Sequence, residues 1–193
     1  PPNNWLSVFG GIAWEWDETT QQYYLHSFLK EQPDLNWRNP ELQRAMFDVL
    51  RFWLDKGVNG VRIDVIFKLF KDAELRDNPP RVEGRVHGKN LGEYDSQHHI
   101  YDQLQPDGHE GLRELRRLFD DYGDRVLIGE THLFNWADLV SFYGDRDELH
   151  VPFNFTLIYC DWNAAAFRRI VDEYEAALPP GAWPNYVLGC HDD

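Results

Sequence analysis

The chain has 193 residues, a formal net charge of −14 and 15% aromatic residues, including 8 Trp, 9 Tyr and 12 Phe. With no Lys/Arg-rich stretch, that charge excludes nucleic acid as a partner, since a phosphate backbone needs a basic surface. No apolar run of about 18 residues reads as a membrane span, and no basic-then-apolar leader is seen.

The aromatic residues supply a core and also suit stacking on flat ligands such as sugar rings. The two cysteines, Cys160 and Cys190, are too few for a disulfide framework and lack metal-ligand spacing. They favour a reducing compartment, so a cytoplasmic location is expected.

Residues 1–31 are rich in Trp, Gly, Asn and Gln with weak periodicity, and read as an irregular or small β segment. Residues 32–39 form a loop leading to a helix start. Asn39 is a good N-cap and Pro40 suits the first helical position. Leu42, Ala45, Met46, Val49, Leu50, Trp53 and Leu54 recur at helical spacing, and Gly57 ends the helix. Residues 61–66 follow as a short strand.

Residues 72–108 are long, polar and rich in Pro and Gly, which predicts a functional loop over one face. An amphipathic helix fills 109–122, and 125–130 is the next strand. A short helix near 136–143, a strand near 149–155, a helix over 163–178 and a strand at 186–189 complete the pattern.

Strand and helix thus alternate four times, which predicts an α/β fold with a parallel sheet and crossover helices. Polar residues stand at the C-terminal ends of the strands: Asp64, Glu130, Asn154, His191 and Asp192. In a β/α barrel that end holds the active site, and four β/α units make half of a barrel of about 250 residues. The chain is therefore read as a piece of a longer protein: 1–31 one small segment, 32–193 a partial (β/α)8 TIM barrel incomplete at both ends.

Three carboxylates, Asp64, Glu130 and Asp192, close three different strands, and strand ends of a parallel sheet converge on one mouth. Glycoside hydrolysis needs such a set. One carboxylate attacks the anomeric carbon while another, kept protonated by its surroundings, releases the leaving oxygen. Arg62 lies two residues before Asp64 on the same strand face, where a guanidinium keeps a nucleophile ionised and aimed. Taken singly, each acid at a strand end is more simply a helix cap or a solvated group.

Several segments carry a resemblance. Gly60-Val61-Arg62-Ile63-Asp64, Gly129-Glu130 and His191-Asp192 resemble the nucleophile, acid/base and His-Asp motifs of the α-amylase family, glycoside hydrolase family 13. Gln32-Pro33-Asp34-Leu35-Asn36-Trp37 resembles the signature of its α-glucosidase and oligo-1,6-glucosidase branch, at the end of the inserted B domain.

The resemblance implies a retaining α-glucosidase acting on small α-glucosides or oligosaccharides, with no cofactor and no metal within this chain. Residues 1–31 would be the B-domain tail, and 32–193 about strands 4–7 of the barrel. Asp64 would be the nucleophile, Glu130 the general acid/base, and Asp192 the group that grips the 2- and 3-hydroxyls. Arg62 would hold the nucleophile and His191 would contact the same glucose. Val65, directly after the nucleophile, accompanies α-1,6 cleavage in this branch, where Thr or Ala accompanies α-1,4.

Cys190 departs from the family's Asn-His-Asp and is either a lost hydrogen-bonding contact or a small buried residue. Two alternatives stay open: a sucrose isomerase or trehalulose synthase of the same branch, and a non-enzymatic homologue like the transporter heavy chains, which have lost these carboxylates. His98, His99 and His109 read as solvated loop residues, Arg116-Arg117 as a solvated helix face, and His132 as a group lining the substrate entrance.

Overall fold

The computed structural model describes residues 1–82 and 90–192. The chain divides into two compact units, one of residues 1–43 and 68–105, the other of residues 44–67 and 106–193. None of the helices among the described residues is long and apolar enough to cross a membrane.

In the first unit, β1 (Trp14–Asp17) and β2 (Gln22–Leu25) form an antiparallel hairpin. Its turn is closed by Asp17, whose carboxylate accepts from the amides of Thr19 and Thr20. Beneath it, Trp5 is fully buried, stacks on Trp14 and donates its indole N–H to the Arg76 carbonyl at 2.9 Å. Asp34 of the 32–37 segment is a clamp. It accepts from the Ser27 amide and hydroxyl at 2.8 and 2.6 Å and pairs with Lys71 at 3.0 Å.

The polar stretch after residue 72 is pinned from within by a buried network. Lys68 lies 3.5 Å from Asp102 and donates to the Tyr94 hydroxyl at 2.6 Å. The Asn78 amide also donates to Asp102. His99, expected to be solvated, is buried instead. It stacks on Tyr94 at 3.6 Å, with Nδ1 facing Asp102 at 2.9 Å and Nε2 facing the Tyr94 carbonyl at 2.8 Å. Polar partners spaced along the loop give it the sites it needs, since buried polar groups require them. His98 is exposed, beside Arg81.

Helix α1 (Pro40–Asp55) starts as expected, with the Asn39 side chain accepting from the Glu41 amide. Gly57, at φ +88°, ends it. The second unit then builds a three-stranded parallel sheet in the order β3 (Gly60–Ile63), β4 (Val126–Gly129), β5 (Val151–Pro152).

Helix α2 (Asp107–Asp120) covers the sheet with buried Leu112, Leu115, Leu118 and Phe119. Asn135 and Asn163 cap α3 (Trp136–Ser141) and α4 (Ala164–Ala177). Two glycines allow close strand approach. A Cβ at Gly60 would strike the Val126 carbonyl, and one at Gly129 would strike Leu149 and Ile66.

Four local expectations are corrected. The strand near 149–155 shrinks to Val151–Pro152 because side chains take ladder bonds at both ends. The His150 ring accepts from the Leu127 amide, and the Asn154 amide donates to the Asn185 side chain. No strand forms at 186–189. Pro184 has no N–H, and one backbone bond, Val187 to the Asn154 carbonyl, ties the segment. His109 is not simply solvated, since it meets the buried Glu148 at 2.7 Å. Arg116 also leaves the solvated face and donates to the Glu148 carbonyl, whereas Arg117 stays exposed.

Candidate active site

The site grows from the C-terminal ends of β3 and β4, paired in register with Ile63 beside Gly129. Each strand ends on a carboxylate, Asp64 and Glu130, so the parallel ladder brings together two acids far apart in sequence. Between them sits one guanidinium. Arg62 Nη1 is 2.6 Å from Asp64 Oδ1, and its Nη2 is 2.9 Å from Glu130 Oε2. The guanidinium also lies over the Phe153 ring at 5.8 Å, on β5's continuation.

The two acids differ in exposure. The Asp64 side chain is 73% accessible and that of Glu130 is 11%. Burial pushes the Glu130 carboxyl above its ordinary value. The hydrogen bond with Asp64 and its charge add to that, against the Val65 amide and Arg62. For Asp64, desolvation also acts upward. The hydrogen bond with Glu130, the Arg62 guanidinium and the nearby His191 outweigh it, so its carboxyl is held below the usual range. One acid is therefore poised to keep a proton and its neighbour to lose one.

Val65 adds a backbone contact. Its φ is +43°, in the left-handed region that β-branched residues rarely adopt. Such a conformation costs about 1–3 kcal/mol and persists when its surroundings over-determine it. Its amide donates to Glu130 Oε2 at 3.1 Å.

The last motif is a turn, not a strand end. His191 Nε2 lies 3.3 Å from Asp192 Oδ2, and Cys190 Sγ lies 3.8 Å from His191 Nδ1. His191 and Asp192 are both exposed, and His191 acts electrostatically on Asp64. Cys190 is half-buried and acts on Arg62. Donor atoms of Cys190, His191 and Asp192 lie within 4.8 Å of one another. They are three consecutive residues of a surface turn, and nothing further selects a metal there.

All five expected site residues lie in the second unit: Arg62, Asp64 and Glu130 in direct contact, His191 and Asp192 as a neighbouring pair. Asn154 is different. It is fully buried and serves as a tie for residues 156, 185 and 187. His132 sits in an aromatic cluster with Phe134, Phe155 and Tyr159. Sequence reasoning missed Phe153 and the backbone role of Val65, because neither a cation–ring contact nor a positive φ on valine has a sequence signal.

Residues 1–193 match the family model for the α-amylase catalytic domain. The chain belongs to the α-amylase family. Its relatives include a probable alpha-glucosidase of Rhizobium meliloti strain 1021, 38% identical over 198 residues, covering 100% of this chain and 36% of that protein. An alpha-glucosidase of Culex pipiens is 39% identical over 203 residues, covering 100% of this chain and 34% of that protein.

Among solved structures, the alpha-glucosyl transfer enzyme XgtA superposes with a TM-score of 0.87 at 42% identity, over 95% of this chain and 35% of that one. The trehalulose synthase MutB does so at 0.79 and 35% identity, over 98% and 34%. The chain spans about a third of the length of the relatives it matches. Family and neighbours together imply a TIM-barrel-like fold, to which the three parallel strands and their helices contribute a part.

Proposed function

We propose that this chain carries the working carboxylates of a retaining α-glucosidase that releases terminal α-linked glucose from small glucosides and oligosaccharides. The observation that carries this is the Asp64–Arg62–Glu130 triad, with one acid exposed and its carboxyl held down, the other buried and its carboxyl pushed up. Two carboxyls gripped by the two Nη atoms of one guanidinium, at 2.6 and 2.9 Å, fit the close, roughly 5–5.5 Å pair of retaining enzymes. They do not fit the roughly 6.5–9.5 Å that leaves room for water in inverting ones.

In the first step an Asp64 oxygen bonds to the anomeric carbon. The bond to the leaving oxygen breaks, that oxygen keeps the electron pair, and it takes the Glu130 proton. In the second step Glu130, now a carboxylate, removes a proton from water or from an acceptor hydroxyl. The resulting oxygen displaces Asp64 from the sugar. Asp192 grips the sugar hydroxyls, Arg62 holds Asp64, and His191 contacts the same glucose. In this reading residues 1–31 are the tail of the inserted B domain, and 32–193 supply about strands 4–7 of the barrel, with 186–189 in the last strand's position in the sequence.

A second reading shares the intermediate and differs in the acceptor. The likeness to XgtA and to a trehalulose synthase favours transfer of glucose to a sugar. Val65 favours α-1,6 substrates, which comparison of isomaltose with maltose turnover checks; a clear maltose preference ends that assignment. The main test is Asp64→Asn in the full-length protein. Turnover of p-nitrophenyl α-glucoside should fall on the order of 10⁴-fold, and unchanged turnover ends the mechanism.

A further inference from the structure

Glu130 is held by more than an ion pair. The left-handed turn at Val65 follows directly on β3 and aims two successive amides at one residue. The Val65 N–H donates to Glu130 Oε2 at 3.1 Å, and the Ile66 N–H donates to the Glu130 main-chain carbonyl at 3.2 Å. The Glu130 N–H in turn donates to the Ile63 carbonyl at 2.9 Å. Backbone and side chain of residue 130 are thus both fixed from the segment that carries Asp64.

The donors at Oε2 also constrain its chemistry. An amide N–H and a guanidinium can only donate. Oε2 faces one of each, the Val65 amide at 3.1 Å and Arg62 Nη2 at 2.9 Å. A proton on that oxygen would have to displace the Val65 N–H and would sit against the Arg62 cation. The acid proton is excluded from Oε2 and belongs on Oε1.

We propose that the Val65 amide, together with Arg62, fixes Oε2 of Glu130 as the unprotonated oxygen and assigns the acid proton to Oε1, so that Val65 is a positioning residue acting through its backbone. This rests on the reading of Glu130 as the general acid/base. It goes beyond the side-chain role of Val65 in linkage preference, because the tether uses no side-chain atom. When Oε1 gives up its proton, the charge left on the carboxylate already has the Val65 N–H and the Arg62 cation at Oε2. The buried acid is thereby made a better proton donor than its surroundings alone would allow.

The charged and titratable groups bearing on Glu130 are Asp64 and Arg62. His191 bears on Asp64, and Cys190 on Arg62.

The test replaces the Val65 amide with an ester in the full-length protein, by nonsense suppression with the α-hydroxy analogue of valine. Removing a donor from the carboxylate should move the alkaline limb of kcat/KM against pH upward by roughly one unit, with the acid limb in place. Val65→Gly keeps the amide and tolerates positive φ, so its alkaline limb should stay put whatever happens to the rate. An ester variant with an unmoved alkaline limb overturns the proposal. So does a Val65→Gly variant with a shifted one, which decides the matter if the ester protein does not fold. Glu130→Gln separates the two levels. If it turns over substrates with poor leaving groups at full rate, the acid/base reading itself fails. If it is inactive while the ester limb stays put, only the tether fails.

Discussion

Asp64 and Glu130 carry the same functional group in opposite surroundings, and the pH dependence of activity should show it. In the proposed mechanism Glu130 acts protonated, and its carboxyl is pushed up, chiefly by burial, so activity should be lost only above a pH higher than an ordinary glutamate would set. In the same mechanism Asp64 acts ionised. Desolvation raises its carboxyl, but Glu130, Arg62 and His191 hold it down, so activity is lost only below the usual aspartate range of 3.8. A bell in kcat/KM against pH is expected, and Glu130→Gln should remove its alkaline limb. A rate that already falls away between the two ordinary carboxylate values, 3.8 and 4.5, would contradict this.

At this scale much was legible. Arg62, Asp64 and Glu130 could be read because alternation on a strand and position at its end are sequence properties. Cys190 could not be resolved between a lost contact and a buried filler. It is half-buried, with its sulfur near the His191 ring. Residue identity is silent on that point.

The elements show where periodicity works and where side chains displace it. α1, α2 and α4 lie within a few residues of their expected bounds, because apolar spacing marks them and Asn39 and Asn163 cap α1 and α4. β5 and the 186–189 segment do not, because His150 and Asn185 take bonds that a backbone would otherwise make. The same blindness hid the network in the 72–105 stretch, where polar residues read as solvated but are paired inside.

That network yields an element-scale prediction. Burial disfavours the charge on Asp102, yet Lys68, His99 and Asn78 hold its carboxyl well below the ordinary 3.8. Asp72, hydrogen-bonded by Arg76, is held down to about 2. Both groups bind fewer protons folded than unfolded. Their stabilisation is therefore full above about pH 4 and is lost as the pH falls from there towards 2. Asp102→Ala removes the counter-charge of the buried Lys68 and should cost about 3–5 kcal/mol in urea unfolding at neutral pH. A loss below about 1 kcal/mol would show that the pair is not the anchor of the loop.

At the scale of the whole molecule, the core is unevenly closed. α1 leaves Val49, Phe52 and Trp53 about half accessible, and Trp162 and Trp183 are more exposed still. β3 and β5 each pair on one side only among the described residues. Open sheet edges and uncovered aromatic faces are association-prone. The 193-residue chain by itself is expected to bind a hydrophobic dye, aggregate on warming and show no glucosidase activity. Measurable turnover with a cooperative melt from that chain alone would refute this. The four-part sequence pattern reads as a share of a barrel, but which faces stay uncovered became visible only in three dimensions.

The left-handed turn after β3 has a consequence for how such a site can change. A mutation at codon 65 replaces whatever the side chain shows to the sugar, while the amide that steadies Glu130 is inherited by every residue except proline. On the proposed roles of Val65 and Glu130, linkage preference can therefore drift at this position without disturbing proton transfer, and proline is the one substitution that descent should refuse there.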